Sequence, residues 1–321
     1  MRILVTGSTG FIGSRLVQAL KKQHTVFEMV RYAAGRYNYY RDPQVLVGDL
    51  HDGVSVKQAV KAADPEVIFH LAAQSAVSYS FSSPQDVMQV NLNGTIALVD
   101  AARELKNLLL FVHASTSEVY GNQKDFPIKE TASLGATSPY AASKIAAEEY
   151  IRVAMDSYGF PALIIRPFNS YGRALVNNSH FVVERAITQA LTEHKISLHN
   201  PDPYRDFMFR EDHVAGYLAV LSAAQELADI PHAASINFST GKSYTIGMMA
   251  EIVALDVETR VLKIPIPVDF KRVPDRPHDI QKLEGDNSSA RSSLRWEPKY
   301  DLVMGIRQAV DEWTRTLGLS T

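Results

Sequence analysis

Two short segments carry the groups that could do chemistry. Leu108–His113 reads as a buried strand and runs into Ser115-Thr116-Ser117-Glu118-Val119-Tyr120-Gly121, a cluster of hydroxyls with one carboxylate. Farther along stands Ser138-Pro139-Tyr140-Ala141-Ala142-Ser143-Lys144. Ser138 suits a helix N-cap and Pro139 the first helical position. Tyr140 then falls in the first turn, with Lys144 on the same face one turn later. An ammonium beside a phenol favours the phenolate, a proton acceptor. Bringing a tyrosine from about 10 towards neutrality takes ~3 pKa units, or ~4 kcal/mol, so a positively charged cofactor ring beside the lysine suits this pair.

A cofactor site is written at the N-terminus. Thr6-Gly7-Ser8-Thr9-Gly10-Phe11-Ile12-Gly13 follows an apolar strand and opens a helix. Glycines there permit a tight turn and close approach of backbone to a pyrophosphate, which rests on the helix N-terminus. The expected contacts are Gly7, Thr9, Gly10, Phe11, Ile12 and Gly13. An acidic residue ending the second strand would receive the ribose hydroxyls of NAD. Here that strand, Thr25–Val30, ends in Arg31, with Glu28 inside it. A cation at this point attracts a 2′-phosphate, so NADP is expected, with NAD the alternative. Asp49-Leu50 after the third strand and Leu71-Ala72-Ala73-Gln74 after the fourth are further cofactor candidates. Arg31–Arg41 holds three arginines among four tyrosines and reads as a loop beside the adenosine.

The elements that must position these groups alternate. Ile3–Thr6, Val26–Val30, Val45–Val47, Val67–His70, Leu108–His113 and Ala162–Arg166 read as buried strands. Phe11–Lys22, Val54–Ala63, Gln85–Leu105 and Pro139–Ser157 read as helices between them. This alternation predicts an α/β fold, a doubly wound parallel sheet that binds ligands at its carboxyl edge. A helix at Glu211–Leu227 and a strand at Ser235–Phe238 extend it. The predicted nucleotide-binding domain is 1–173 plus about 206–241. A smaller, mainly C-terminal substrate-binding cap is predicted from about 174–205 and 242–321.

Composition excludes several classes. The 321 residues hold 33 Lys+Arg against 35 Asp+Glu, which argues against nucleic acid or an anionic membrane as the main partner. Cysteine is absent, so disulfides, thiolate metal sites and a thiol nucleophile are excluded. The ten histidines show no metal-binding spacing. No apolar run approaches the ~20 residues of a membrane helix. A soluble, cytoplasmic protein without a metal is expected.

The chain resembles an extended short-chain dehydrogenase/reductase of the nucleotide-sugar group. The resemblance rests on Thr6–Gly13, Asp49-Leu50, His70–Ala73, Asn91–Thr95, Tyr140 with Lys144, Arg166–Gly172, Arg205-Asp206-Phe207, Arg276–Asp279 and Trp296-Glu297-Pro298. It implies a Rossmann sheet, a nicotinamide cofactor, a nucleotide-diphosphate sugar as substrate, and a homodimer or homotetramer. Helices Gln85–Leu105 and Pro139–Ser157 would pair across the dimer axis. It further implies cofactor contacts at Asn91, Ser115, Pro167 and Phe168. Tyr140 would take a proton from a sugar hydroxyl held by Ser115 or Thr116, while Lys144 holds the cofactor ribose. Ser75, Ser78, Asn169, Arg205 and Arg276 would grip the sugar and its diphosphate.

Within the group, Glu118 separates the chemistries. A 4,6-dehydratase needs a base for the C5 proton, and Thr116-Ser117-Glu118 resembles the dehydratases of GDP-mannose or of nucleotide-linked amino sugars. Ser117 stands where the dTDP-glucose type carries aspartate. An NDP-sugar 4-epimerase, a UDP-glucuronate decarboxylase and a 4-keto-sugar reductase remain alternatives, and outside catalysis a cofactor sensor.

Overall fold

The structure is a computed structural model. It describes residues 1–31, 42–172, 181–228, 235–271 and 279–319. Seven strands form one parallel sheet: β1 (Arg2–Thr6), β2 (Thr25–Val30), β3 (Val45–Val47), β4 (Val67–His70), β5 (Leu110–Ala114), β6 (Ala162–Pro167) and β11 (Ser235–Phe238). Their order is β11-β6-β5-β4-β1-β2-β3. The chain therefore reverses direction of winding between β1 and β4, the switch point at which such sheets open a crevice. The Rossmann architecture expected from the alternation is present.

Both faces of the sheet are covered, which is why its strands read as continuous apolar runs. On one face α2 (Gly53–Ala63), α5 (Gly94–Ala102) and α6 (Pro139–Tyr158) pack over Leu4, Phe27, Ile68, Phe111 and Ile164. On the other, α1 (Phe11–Leu20) and α8 (Arg210–Ser222) pack over Val5, Phe69, Val112 and Ile165. The helix expected over Gln85–Leu105 is a composite. After α3 (Val77–Ser82), α4 (Pro84–Met88) passes through a π turn, Gln89–Asn93, into α5. Val87 and Val99 of this composite are fully buried by the chain itself. The helix Glu211–Leu227 is likewise split, into α8 and α9 (Ala224–Ala228).

The cap has its own core. β7 (Asn169–Tyr171) leads to α7 (Val182–Glu193), β8 (Ile196–Leu198), β9 (Tyr204–Arg205) and β10 (Phe207–Phe209). β12 (Tyr244–Thr245), α10 (Ile246–Asp256), β13 (Val268–Phe270), α11 (Ser288–Leu294) and α12 (Leu302–Thr316) follow. α7, α10 and α12 bury Ile187, Met249, Val253, Ile306 and Trp313 against Tyr171, Phe207 and Phe209. Within the stretch 242–321, expected to form the cap, one part packs against the sheet. Ala290, Leu294 and Trp296 belong to the core beneath the sheet, where the Trp296 ring lies 4.9 Å from that of Phe238. The outer end of the sheet needs cover there, and α11 supplies it. Among the described residues no helix is long and apolar enough to cross a membrane.

Asp206 ties the two parts together. Its buried carboxylate accepts hydrogen bonds from Thr240 N and Oγ1, Gly241 N and Gly285 N. Burial pushes its pKa up to about 6 against those four bonds. Asp206→Ala strands three backbone donors, so we expect a loss of about 3 kcal/mol in unfolding free energy, measured by urea denaturation.

Candidate active site

The glycine-rich turn is shaped by contact. Gly7 has φ +69°, and a Cβ on it would sit 2.8 Å from Ala72 N. A Cβ on Gly13 would sit 2.1 Å from Gly7 O, so β1, the turn and α1 close on one another only without side chains. α1 begins at Gly10 with no side-chain cap and no acidic residue in its first turn. Its first N–H groups and its dipole are left for an anion. That cradle fits the pyrophosphate of a dinucleotide. Thr9, Phe11 and Ile12 line the same cleft, of about 1470 Å³.

The next wall is a loop fixed from behind. Ala72 N donates to Thr6 Oγ1, and Thr6 Oγ1 pairs with His70 Nδ1 at 2.8 Å. His70 Nε2 reaches Thr95 Oγ1 at 3.0 Å. Burial, with the charge of Lys144, lowers the His70 pKa to about 3, so it is a neutral strut. Asn91, expected to touch the cofactor, lies behind the lining. It accepts from Gln74 N at 2.8 Å and donates to Gln74 O and Ser143 Oγ. A buried amide with both ends engaged holds the loop that carries Ala73 to Ser78, leaving Leu71, Gln74, Ser75 and Ser78 on the cleft wall.

Where the adenosine is expected, Arg31, Asp49 and Leu50 line the cleft. Burial raises the Asp49 carboxyl, but hydrogen bonds from His51 outweigh it and hold the pKa low. His51 bridges Asp49 at 3.0 Å and Asp86 at 2.9 Å, which raises its own pKa. Glu28 faces elsewhere and pairs with Lys21 at 2.8 Å. The tyrosine-rich residues 32–41 lie outside the described residues, as does Arg276.

At the chemical end, Thr116 caps the 3₁₀ turn Ser117–Tyr120 and accepts from Glu118 N. Tyr140, in the first turn of α6 behind the Ser138 cap, is hydrogen-bonded to Thr116. Burial pushes the phenol up to about 12; the Thr116 bond opposes this and the Glu118 charge adds to it. Lys144 Nζ donates to Ala114 O at 2.7 Å, and burial pushes its pKa down to about 8 against the charge of Glu148. Thr116, Ser117, Glu118, Tyr140 and Lys144 all line one cleft with the glycine turn. Ser115 is differently employed, because its hydroxyl donates to Glu148 Oε1 at 2.5 Å.

Pro167, Phe168 and Asn169 also reach this wall. Arg205 lines the cleft, held by Asp279 at 2.9 Å and by the carbonyls of Ile280 and Tyr204. Sequence reasoning missed the His51–Asp86 bridge and Glu148. The second carried a signal, its place one turn beyond Lys144.

Known proteins agree with this geometry. A family model described as GDP-mannose 4,6 dehydratase matches residues 4–309. The dTDP-D-glucose 4,6-dehydratase of Mus musculus is 31% identical, over 98% of this chain and 88% of its own. A UDP-glucose 4-epimerase of Thermotoga maritima, solved with UDP-glucose, superposes with a TM-score of 0.85 at 26% identity, covering 99% of this chain and 100% of its own. The Thermus thermophilus UDP-glucose 4-epimerase, solved with NAD, gives 0.83 at 28% identity over 98% and 99%. The chain belongs to the GDP-mannose 4,6 dehydratase family. It is thus an extended short-chain dehydrogenase/reductase, of the nicotinamide-dependent nucleotide-sugar dehydratases and epimerases.

Gly13→Ala puts a methyl group into the Gly7 carbonyl, so the turn must open. We expect cofactor affinity to fall more than about tenfold, by fluorescence titration, with the fold retained by circular dichroism.

Proposed function

We propose that the chain is a nucleotide-diphosphate-hexose 4,6-dehydratase. The observation that carries this reading is Glu118, a buried carboxylate at the same strand end as Thr116 and close enough for its charge to act on Tyr140. Oxidation and its reversal, which suffice for an epimerase, need no second acid–base group. Removal of a C5 proton does.

The residues divide the work. Thr116 holds the C4 hydroxyl against Tyr140, which accepts its proton. Lys144 keeps positive charge near the phenol and holds the cofactor ribose. A nicotinamide held there would supply positive charge beside Tyr140 and the capacity to take up a hydride and return it. With a ketone at C4 the C5 proton is acidic; Glu118 removes it and delivers it to the C6 hydroxyl, which departs as water, and a proton from solvent later restores C5. Burial favours these transfers because little water competes for the charges. Asn169 and Arg205 would meet the sugar diphosphate; both line the cleft, and Asp279 holds Arg205 in position.

For the cofactor we favour NADP. Arg31 stands at the end of β2, with no carboxylate there, and lines the cleft beside Asp49. Arg31→Ala is expected to weaken NADP binding about tenfold and leave NAD binding unchanged in titrations of each. A homodimer through α5 and α6 fits the exposed Val153 and Tyr158 on α6.

The deciding experiment is mass spectrometry of products made in heavy water from GDP-mannose, UDP-GlcNAc, dTDP-glucose, UDP-glucose and UDP-glucuronate. Loss of one water with one deuterium taken up at C5 is the expected result. Loss of carbon dioxide, or an isomer of unchanged mass, would replace this reading with a decarboxylase or an epimerase. Glu118→Gln should lower water loss by at least about 10²-fold while cofactor binding is kept.

A further inference from the structure

A buried ionic cluster lies directly behind the catalytic end. Glu148 on α6 is fully buried and is gripped by Arg166 of β6, itself 2% exposed, at 2.7 Å from Nη2 and 3.0 Å from Nε. Arg152 reaches the same carboxylate from α6 at 2.9 Å, and Ser115 donates to it from the end of β5. Arg166 is completed by Tyr120 OH and the Glu130 carbonyl. Glu148 is fully buried behind Ser115, which itself lines the cleft.

Lys144 stands one helical turn before Glu148, on the same face of α6, where residues four apart are neighbours. From β4 and β5 the groups that sense the Lys144 charge are His70 and His113, and burial keeps both neutral. On α6 itself the charged or titratable neighbours are Tyr140 and Glu148. Neutral histidines offer no compensation to a buried ammonium, and Tyr140 offers none while it keeps its proton. Glu148 is therefore the negative charge packed closest to it along its own helix.

We propose that Glu148 is a positioning residue whose negative charge keeps Lys144 protonated, and that Arg166, Arg152 and Ser115 hold that carboxylate in place. The proposal rests on the role given to Lys144 above, and it deepens that role by naming what sustains the charge. It also reassigns Ser115, from holding substrate to holding Glu148. Thr116 is left as the hydroxyl that faces Tyr140.

The test follows Lys144 itself, in enzyme labelled with ¹³C at lysine Cε and titrated by NMR without nucleotide sugar. The Lys144 resonance is assigned by its loss in Lys144→Arg. Glu148→Gln should move the Lys144 midpoint down by about one to two pH units, and the alkaline limb of kcat should move with it while KM for the sugar holds. Glu148→Asp should restore both. Arg152→Gln, at the half-buried edge of the cluster, should shift the midpoint the opposite way by about a few tenths of a unit. It also decides the matter if Glu148→Gln does not fold. An unmoved Lys144 midpoint in the folded variants overturns the proposal. A moved midpoint in an enzyme that dehydrates none of the nucleotide sugars leaves it standing and removes the proposed reaction instead.

Discussion

The ion pair between Glu148 and Arg166 is the interaction on which the arrangement of the chemical end depends. Its two residues lie on α6 and β6, and further bonds run to the end of β5 through Ser115 and to the 3₁₀ turn through Tyr120. Tyr120 passes the connection to β11, by its hydroxyl on Asn237 at 2.6 Å. Asn237 in turn donates to the carbonyls of Ile128 and Asp286, so the segment below the cap is held too. A buried pair of this kind adds little net stability against an apolar substitute, because both charges must leave water. Removing one partner is a different matter, costing about 3–5 kcal/mol for the charge left behind. The geometry of the cluster therefore points to register. It sets how β5, β6, β11 and α6 stand relative to one another at the edge where Thr116, Glu118, Tyr140 and Lys144 meet.

The opposite end of the cleft is organised by contact and neutral polar groups. Gly7 and Gly13 let β1, the turn and α1 approach closely, and His70 and Asn91 fix the facing loop through bonds to the neutral groups of Thr6, Thr95, Gln74 and Ser143. A dinucleotide carries two phosphate charges there, and a fixed acidic strut would repel them. The chemical end needs charges of both signs within a few ångströms, and these must be compensated by a cluster of their own. The different materials of the two ends follow from what each must hold.

Much of this was legible in the sequence. Val45–Val47, Val67–His70 and Ser235–Phe238 have the predicted bounds, and for Val67–His70, buried throughout, the reason is a sheet covered on both faces. The glycine spacing and the Tyr140–Lys144 interval were readable for the same kind of reason, being local. The π turn at Gln89–Asn93 was not, since helical periodicity barely distinguishes one wide turn. Nor was the placement of α11 beneath the sheet, which depends on where the outer end needs cover. Asn91 illustrates the limit most clearly. A polar residue near a ligand loop reads the same whether it faces the ligand or the back of the loop, and only the bonds to Gln74 and Ser143 decide it.

The same limit explains why the second half of the site stayed hidden. Glu148 and Arg166 are 18 residues apart, and each is an ordinary charged residue in its own segment. Their meaning arises when α6 crosses the sheet and brings a carboxylate onto the end of β6, with 2% of the arginine left exposed. Among the groups facing Lys144, the histidines from neighbouring strands are neutral for the same reason that the ion pair is strong: the interior is dry. Low polarity lowers the lysine pKa and raises that of the tyrosine, the wrong direction for both partners of a phenolate–ammonium pair. A site built on Tyr140 and Lys144 in such an interior has to bring in compensating charge, from a buried carboxylate on one side and a cationic ring on the other.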